Sequence, residues 1–106
     1  MKKINKKYGN KIFPRISIFR SNKEIYVQVI DDNNRETITS YSSLQEKKKN
    51  KKKMTKIKMS KLIGQKIAYK MLNKNIKKAF FDRNGYIYHG RIKILLDEIR
   101  NNGIKI

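Results

Sequence analysis

Cysteine and tryptophan are absent, proline and histidine occur once each, and no stretch approaches the roughly 18 consecutive apolar residues of a membrane-spanning helix. Without cysteine there is no disulfide framework, no thiolate zinc site and no cysteine nucleophile. The lone His89 has no serine or carboxylate partner at a recognisable spacing, so it makes a poor general base. The basic N-terminus is not followed by the apolar segment of a secretory signal, and the composition predicts a soluble protein. Negative charge is scarcest of all: 8 Asp and Glu face 28 Lys and Arg, for a formal net charge of +20. Solubility asks for a net charge of only about 2 to 8 in a small domain. An excess this large repels itself and persists most easily against a polyanion, either nucleic acid or an anionic membrane surface.

What is present is enough for one thin core. The 106 residues match a single domain, 38% are apolar and 34% charged, and the mean hydropathy is -0.80. Lysine outnumbers arginine 22 to 6, and asparagine and isoleucine are abundant, as in proteins drawn from an AT-rich genome. Each arginine is then informative, because lysine is the default cation unless a planar guanidinium is needed. Arg15, Arg20, Arg83 and Arg91 all fall in the segments singled out below.

Residues 1–20 hold seven cations (Lys2, Lys3, Lys6, Lys7, Lys11, Arg15 and Arg20) and no acid. Residues 1–12 read as a basic N-terminal arm, a frayed terminus that can also order on RNA. Residues 13–106 then form the domain. Ile16 and Ile18, then Tyr26 to Ile30, are short β-branched and aromatic runs around Arg20-Ser21-Asn22-Lys23, a hairpin signature. A third strand, Thr37 to Tyr41, follows a turn in which Asp31 and Asp32 read as turn residues. The lysine run Lys47 to Lys53 buries nothing and predicts a loop at about 46–54, explained equally by drift in an AT-rich genome or by phosphate contact. Met59, Leu62, Ile63, Ile67 and Met71 recur at helical spacing and predict a helix from about Thr55 to Asn73. Gly64 within it suggests close approach to a sheet, and Asn75 suits a left-handed cap. Ala79-Phe80-Phe81 reads as a buried strand, Ile92, Leu95, Leu96 and Ile99 as a second helix stopped by Gly103, and Ile104 with Ile106 as a last edge strand. The expected order is β-β-β-α-β-α-β, a single layered α/β domain with a mixed sheet.

Two stretches carry a resemblance: Phe13-Pro14-Arg15-Ile16-Ser17-Ile18-Phe19-Arg20-Ser21-Asn22-Lys23-Glu24-Ile25-Tyr26-Val27-Gln28-Val29-Ile30-Asp31-Asp32, and Phe81-Asp82-Arg83-Asn84-Gly85-Tyr86-Ile87-Tyr88-His89-Gly90-Arg91-Ile92-Lys93. They resemble the signatures of the bacterial- and plastid-type L18 family of large-subunit ribosomal proteins, in the same order and with the helix bearing Gly64 between them. The resemblance covers about Ile12 to Ile106. The arm is shorter than in most bacterial members, and the lysine run is not a family feature. The resemblance implies a ribonuclease-H-like topology and a structural role in the large ribosomal subunit. It further implies binding of 5S rRNA and its attachment to large-subunit rRNA in the central protuberance, beside neighbouring ribosomal proteins. The AT-rich composition favours an organelle, plastid or apicoplast, over a bacterial cytoplasm.

Within those motifs, Arg20-Ser21-Asn22-Lys23 places two cations and two hydrogen-bonding side chains where the backbone leaves the sheet, which suits RNA backbone contact. An ordinary hairpin turn needs neither cation. Tyr86, Tyr88, His89 and Arg91 gather stacking planes and a guanidinium around Gly85 and Gly90, a set that suits unpaired bases and phosphates. The expected RNA contacts also take in Tyr26, Gln28, Arg83 and Lys93 of the same two motifs and the cations of the arm. A magnesium nuclease would be the enzyme on a related fold, but it needs acids converging at adjacent strand ends. The first strand offers none, and Asp82 beside Arg83 reads as ion-paired or loop-capping, so no catalysis, cofactor, metal or small-molecule substrate is expected. A membrane role would need the apolar helix face that the sheet requires. The rival is a generic RNA-binding or RNA-chaperone protein without preference for 5S rRNA.

Overall fold

In the computed structural model, which describes residues 9–82 and 90–106, the β-branched runs of the first half form β1 (Arg15–Arg20), β2 (Ile25–Asp31) and β3 (Glu36–Ser42). Two helices follow, α1 (Ser43–Lys49) and α2 (Lys56–Asn73), then β4 (Phe80–Asp82) and α3 (Gly90–Asn101). The sheet order is β3-β2-β1-β4, with β1 antiparallel to β2, β2 antiparallel to β3, and β1 parallel to β4. This mixed sheet has the expected ribonuclease-H-like arrangement.

Side chains alternate across a strand, so one residue in two can face the helices. Along β2 this gives a strict burial alternation. Ile16, Ile18, Val27, Val29 and Tyr41 join one apolar cluster with Met59, Ile63, Ile67 and Met71 of α2 and Ile92, Leu95, Leu96 and Ile99 of α3. Thr55 caps α2, its hydroxyl accepting the Lys58 N–H at 3.1 Å. Asn75 takes the expected left-handed conformation with φ 62°.

Three expectations change. Gly64 makes its close approach to α3 instead of the sheet: a Cβ there would lie 2.7 Å from the Leu95 carbonyl oxygen and 2.9 Å from Glu98 Cβ. The expected loop at 46–54 begins as a helix. The Ser42 hydroxyl accepts the Gln45 N–H at 3.2 Å, and Glu46, buried, accepts from the Tyr41 hydroxyl at 2.7 Å. Lys47, Lys48 and Lys49 then occupy the last turn of α1, where the helix dipole favours cations. The expected edge strand of Ile104 and Ile106 is reduced to one parallel bridge between Lys78 and Lys105. Its partner segment joins the sheet only from Phe80 onward.

The Gly64 contact gives a stability prediction. Gly64→Ala should lower stability by about 1–3 kcal/mol in urea unfolding, because α2 must move off α3, even though alanine favours a helix by about 1 kcal/mol. An unchanged or higher midpoint would show that the helix pair does not need this approach.

Candidate nucleic-acid interface

The β1–β2 turn is held from three sides. Within it, the Ser21 N–H donates to the Glu24 carbonyl at 2.9 Å, and the Ser21 hydroxyl accepts the Glu24 N–H at 3.2 Å. Behind it, the Glu24 carboxylate accepts from the Ser43 hydroxyl and from Lys47 Nζ at 2.9 Å, tying the turn to α1. These bonds, from Ser43 first and Lys47 second, hold the Glu24 pKa below its ordinary 4.5. Beside it, Arg91 Nη2 donates to the Ser21 carbonyl at 2.7 Å. Gly90, at φ 58°, takes the left-handed turn that opens α3 one residue earlier. The two sequence motifs therefore meet, with Arg20, Asn22 and Lys23 exposed next to Arg91.

At the other end of β1, Arg15 is the centre of an ion cluster. Its guanidinium donates to Asp32 at 2.8 and 2.9 Å and to Asp82 at 3.0 Å. Its side chain is only 19% exposed. Asp31 fulfils its expected turn role, accepting the Asn33 N–H at 3.0 Å. Asp32 opens the same turn, with its carboxylate on the Arg15 guanidinium, and Asp82 accepts from that guanidinium too. Gly9, expected within the arm, is buried and donates its N–H to Asp32 at 2.6 Å. The geometry thus gives Arg15 a structural task at the base of the sheet, whereas Arg20 lies exposed at its tip.

Tyr26 and Gln28 share the sheet face opposite the core. Tyr26 stacks on Phe19 with ring centroids 6.3 Å apart, and Gln28 donates to Thr37 at 3.3 Å. Phe19, absent from the sequence-based set, is 44% exposed. The alternation of β1 carried that signal, since Phe19 falls out of phase with Ile16 and Ile18. With Tyr26, Arg20 and Ser21 it lines a hollow of about 260 Å³ beside the turn. Lys93 is exposed on α3 and pairs with Asp97 at 2.7 Å. Such a surface pair is worth about 0–1 kcal/mol and exchanges easily for a phosphate. Lys11 is exposed. Lys2, Lys3, Lys6 and Lys7, and Arg83, Tyr86, Tyr88 and His89, lie outside the described residues. Asp32 and Asp82, the acids that do converge, close on a guanidinium and leave no open carboxylate pair there.

The whole chain, residues 1–106, matches the family model described as ribosomal L18 of archaea, bacteria, mitochondria and chloroplast. It is 47% identical to the large ribosomal subunit protein uL18 of Aster yellows phytoplasma, over 96% of this chain and 99% of that one. It is 46% identical to the uL18 of Bacteroides fragilis, over 95% and 85% of the two chains. It is 45% identical to the uL18c of Guillardia theta, over 99% of each.

The ion cluster makes stability depend on pH in the acid range. The Arg15 guanidinium holds the Asp32 carboxyl below its ordinary 3.8. A depressed folded pKa adds stability that is complete above the unfolded value and is lost as pH falls through the folded one. With Glu24 depressed as well, unfolding free energy should decline as pH drops below about 4.5. Asp32→Asn should cost about 1.5–3 kcal/mol at pH 7 and flatten that decline. Parallel acid profiles for the two proteins would show that Asp32 is not a source of it.

Proposed function

The chain belongs to the ribosomal L18 family and is a structural protein of the large ribosomal subunit, and from that premise we propose that it binds 5S rRNA and attaches it to large-subunit rRNA in the central protuberance. The observation that carries this is the Arg91 to Ser21 hydrogen bond of 2.7 Å. It draws the guanidinium of the second motif onto the turn of the first, so one exposed surface holds Arg20, Asn22, Lys23 and Arg91. Those cations and hydrogen-bonding groups suit a phosphate chain. The Phe19–Tyr26 stack adjoins them as an aromatic plane on which an unpaired base can lie. The proposed RNA contacts also take in Arg83, Tyr86, Tyr88 and His89 of the second motif, together with Gln28 and Lys93. The arm cations Lys2, Lys3, Lys6, Lys7 and Lys11 add sequence-independent affinity. The AT-rich lysine bias supports a plastid or apicoplast ribosome over that of a bacterial cytoplasm.

Competition tests the specificity. In about 0.15 M salt, unrelated RNA of equal length should fail to displace 5S rRNA at comparable concentration. Displacement at equal concentration would favour the generic RNA-binding role. If about six phosphates are neutralised, log K should fall against log salt with a slope of roughly minus 4 to minus 5, and a slope near zero would end the electrostatic account. Arg91→Ala should weaken 5S binding by roughly tenfold or more, the value of a hydrogen bond from a charged group, and Tyr88→Ala should weaken it as well. Unaltered affinity in both variants would show that the interface lies elsewhere.

A further inference from the structure

The lysine run has a place in the fold that its sequence did not disclose. After the last turn of α1, the Asn50 side chain accepts the Lys52 N–H at 3.1 Å and turns the chain back towards α2. The result is a cleft of about 510 Å³ lined by six cations, Lys23, Lys47, Lys51, Lys52, Lys53 and Lys56, over a floor of Met54 and Met59. A smaller hollow of about 60 Å³ adjoins it, shares Lys23, Lys47 and Lys56, and reaches Arg91. No carboxylate lines either hollow.

We propose that this cleft is a phosphate-binding groove that takes a stretch of rRNA backbone beyond the stretch held at the Arg20–Lys23 turn. Like charges gathered over an apolar floor focus the field and concentrate a polyanion there. The helix dipole accounts for Lys47, Lys48 and Lys49, but not for Lys51, Lys52 and Lys53, which lie beyond the end of α1. Random lysine drift scatters charge, whereas here cations from the β1–β2 turn, α1, the run and α2 face one space. Lys23 belongs to both the turn and the cleft, so one nucleic-acid chain can pass from one to the other. Phosphate is recognised here as charge, without base contact, so the groove supplies affinity and orientation and leaves specificity to the motifs.

The inference rests on the rRNA-binding reading above, and the two fail in different ways. The full chain, a Lys51→Gln/Lys52→Gln/Lys53→Gln variant, and a control Lys74→Gln/Lys77→Gln/Lys78→Gln variant with the same charge loss outside the cleft are titrated with 5S rRNA and with protein-free large-subunit rRNA across a salt series. On at least one RNA the cleft variant should lose about 2 from the magnitude of the log K against log salt slope, and the control less than half of that. Displacement of 5S rRNA by unrelated RNA should stay as weak as for the unaltered chain. Equal losses in the two variants, or none, would overturn the groove while leaving the 5S assignment standing. Loss of 5S preference in the unaltered chain would instead overturn that assignment, and a cleft-specific slope change would still support the groove. Stronger retention of the unaltered chain than of the cleft variant on phosphatidylserine vesicles, with RNA slopes unchanged, would assign the cleft to lipid and also overturn it.

Discussion

The Arg15 guanidinium, bonded to Asp32 and Asp82, ties the ends of β2 and β4 to the strand that lies between them. β1 is central in the sheet, antiparallel to β2 on one side and parallel to β4 on the other. Asp32 follows β2 directly, whereas Asp82 ends β4 and lies 67 residues from Arg15 in sequence. A guanidinium offers a planar fork of donors, which lysine could not direct at two carboxylates at once. Removing Arg15 takes the shared guanidinium from both carboxylates, in a site where Asp82 is only 6% exposed. The consequence reaches the interface. Asp82 is held at the start of β1 and Arg91 at its far end, on the Ser21 carbonyl, so the residues flanking 83–89 are pinned to opposite ends of a single strand.

The same economy governs the other acids and explains how a charge of +20 coexists with a stable fold. Glu24, Asp31, Asp32, Glu46, Asp82 and Glu98 each accept hydrogen bonds that close a turn, anchor a helix or join two elements, while Asp97 pairs with Lys93 and Arg100 on the surface of α3. Asp31, Glu46 and Asp82 are buried. Carboxylates are thus used inward, as acceptors for the chain's own donors. Very little negative charge remains outside to neutralise the lysines, and the surface is left as a cation field. The cost of that self-repulsion is offset when phosphates replace it, which links assembly with rRNA to the stability of the protein itself.

Much of this architecture was legible from periodicity, because alternation in β1 and β2 and the 3.6-residue spacing in α2 and α3 are local signals. The two motifs were legible as well, and so was Asn75, whose left-handed conformation is a property of one residue. What escaped was long-range. Nothing near Gly64 says whether a sheet or a helix will approach it. Asp32 looks like its neighbour Asp31, and only the folded chain brings Arg15 to it. The helix α1 was hidden because its core contact, Glu46 on Tyr41, buries a charged residue that sequence patterns assign to the surface. Phe19 was present in the pattern but masked by the cations of the adjacent turn. The cleft depends on Lys23, Lys51 and Lys56 converging from three separate segments.

Lys47 connects the cleft and the turn, since it lines the cleft and also pairs with Glu24. A phosphate in the cleft would compete with that carboxylate for the ammonium. The pair is 48% and 31% exposed on its two sides and so contributes little. The Ser43 hydroxyl, 1% exposed at the residue level, still holds Glu24, while the Ser43 oxygen accepts the Ile25 N–H at 2.9 Å. Arg91 independently holds Ser21 from the other side. The turn therefore keeps its geometry whether or not Lys47 is drawn away. On the proposed reading, filling the cleft and engaging the turn would then be close to additive, so that added lysines would raise affinity for rRNA without disturbing the turn.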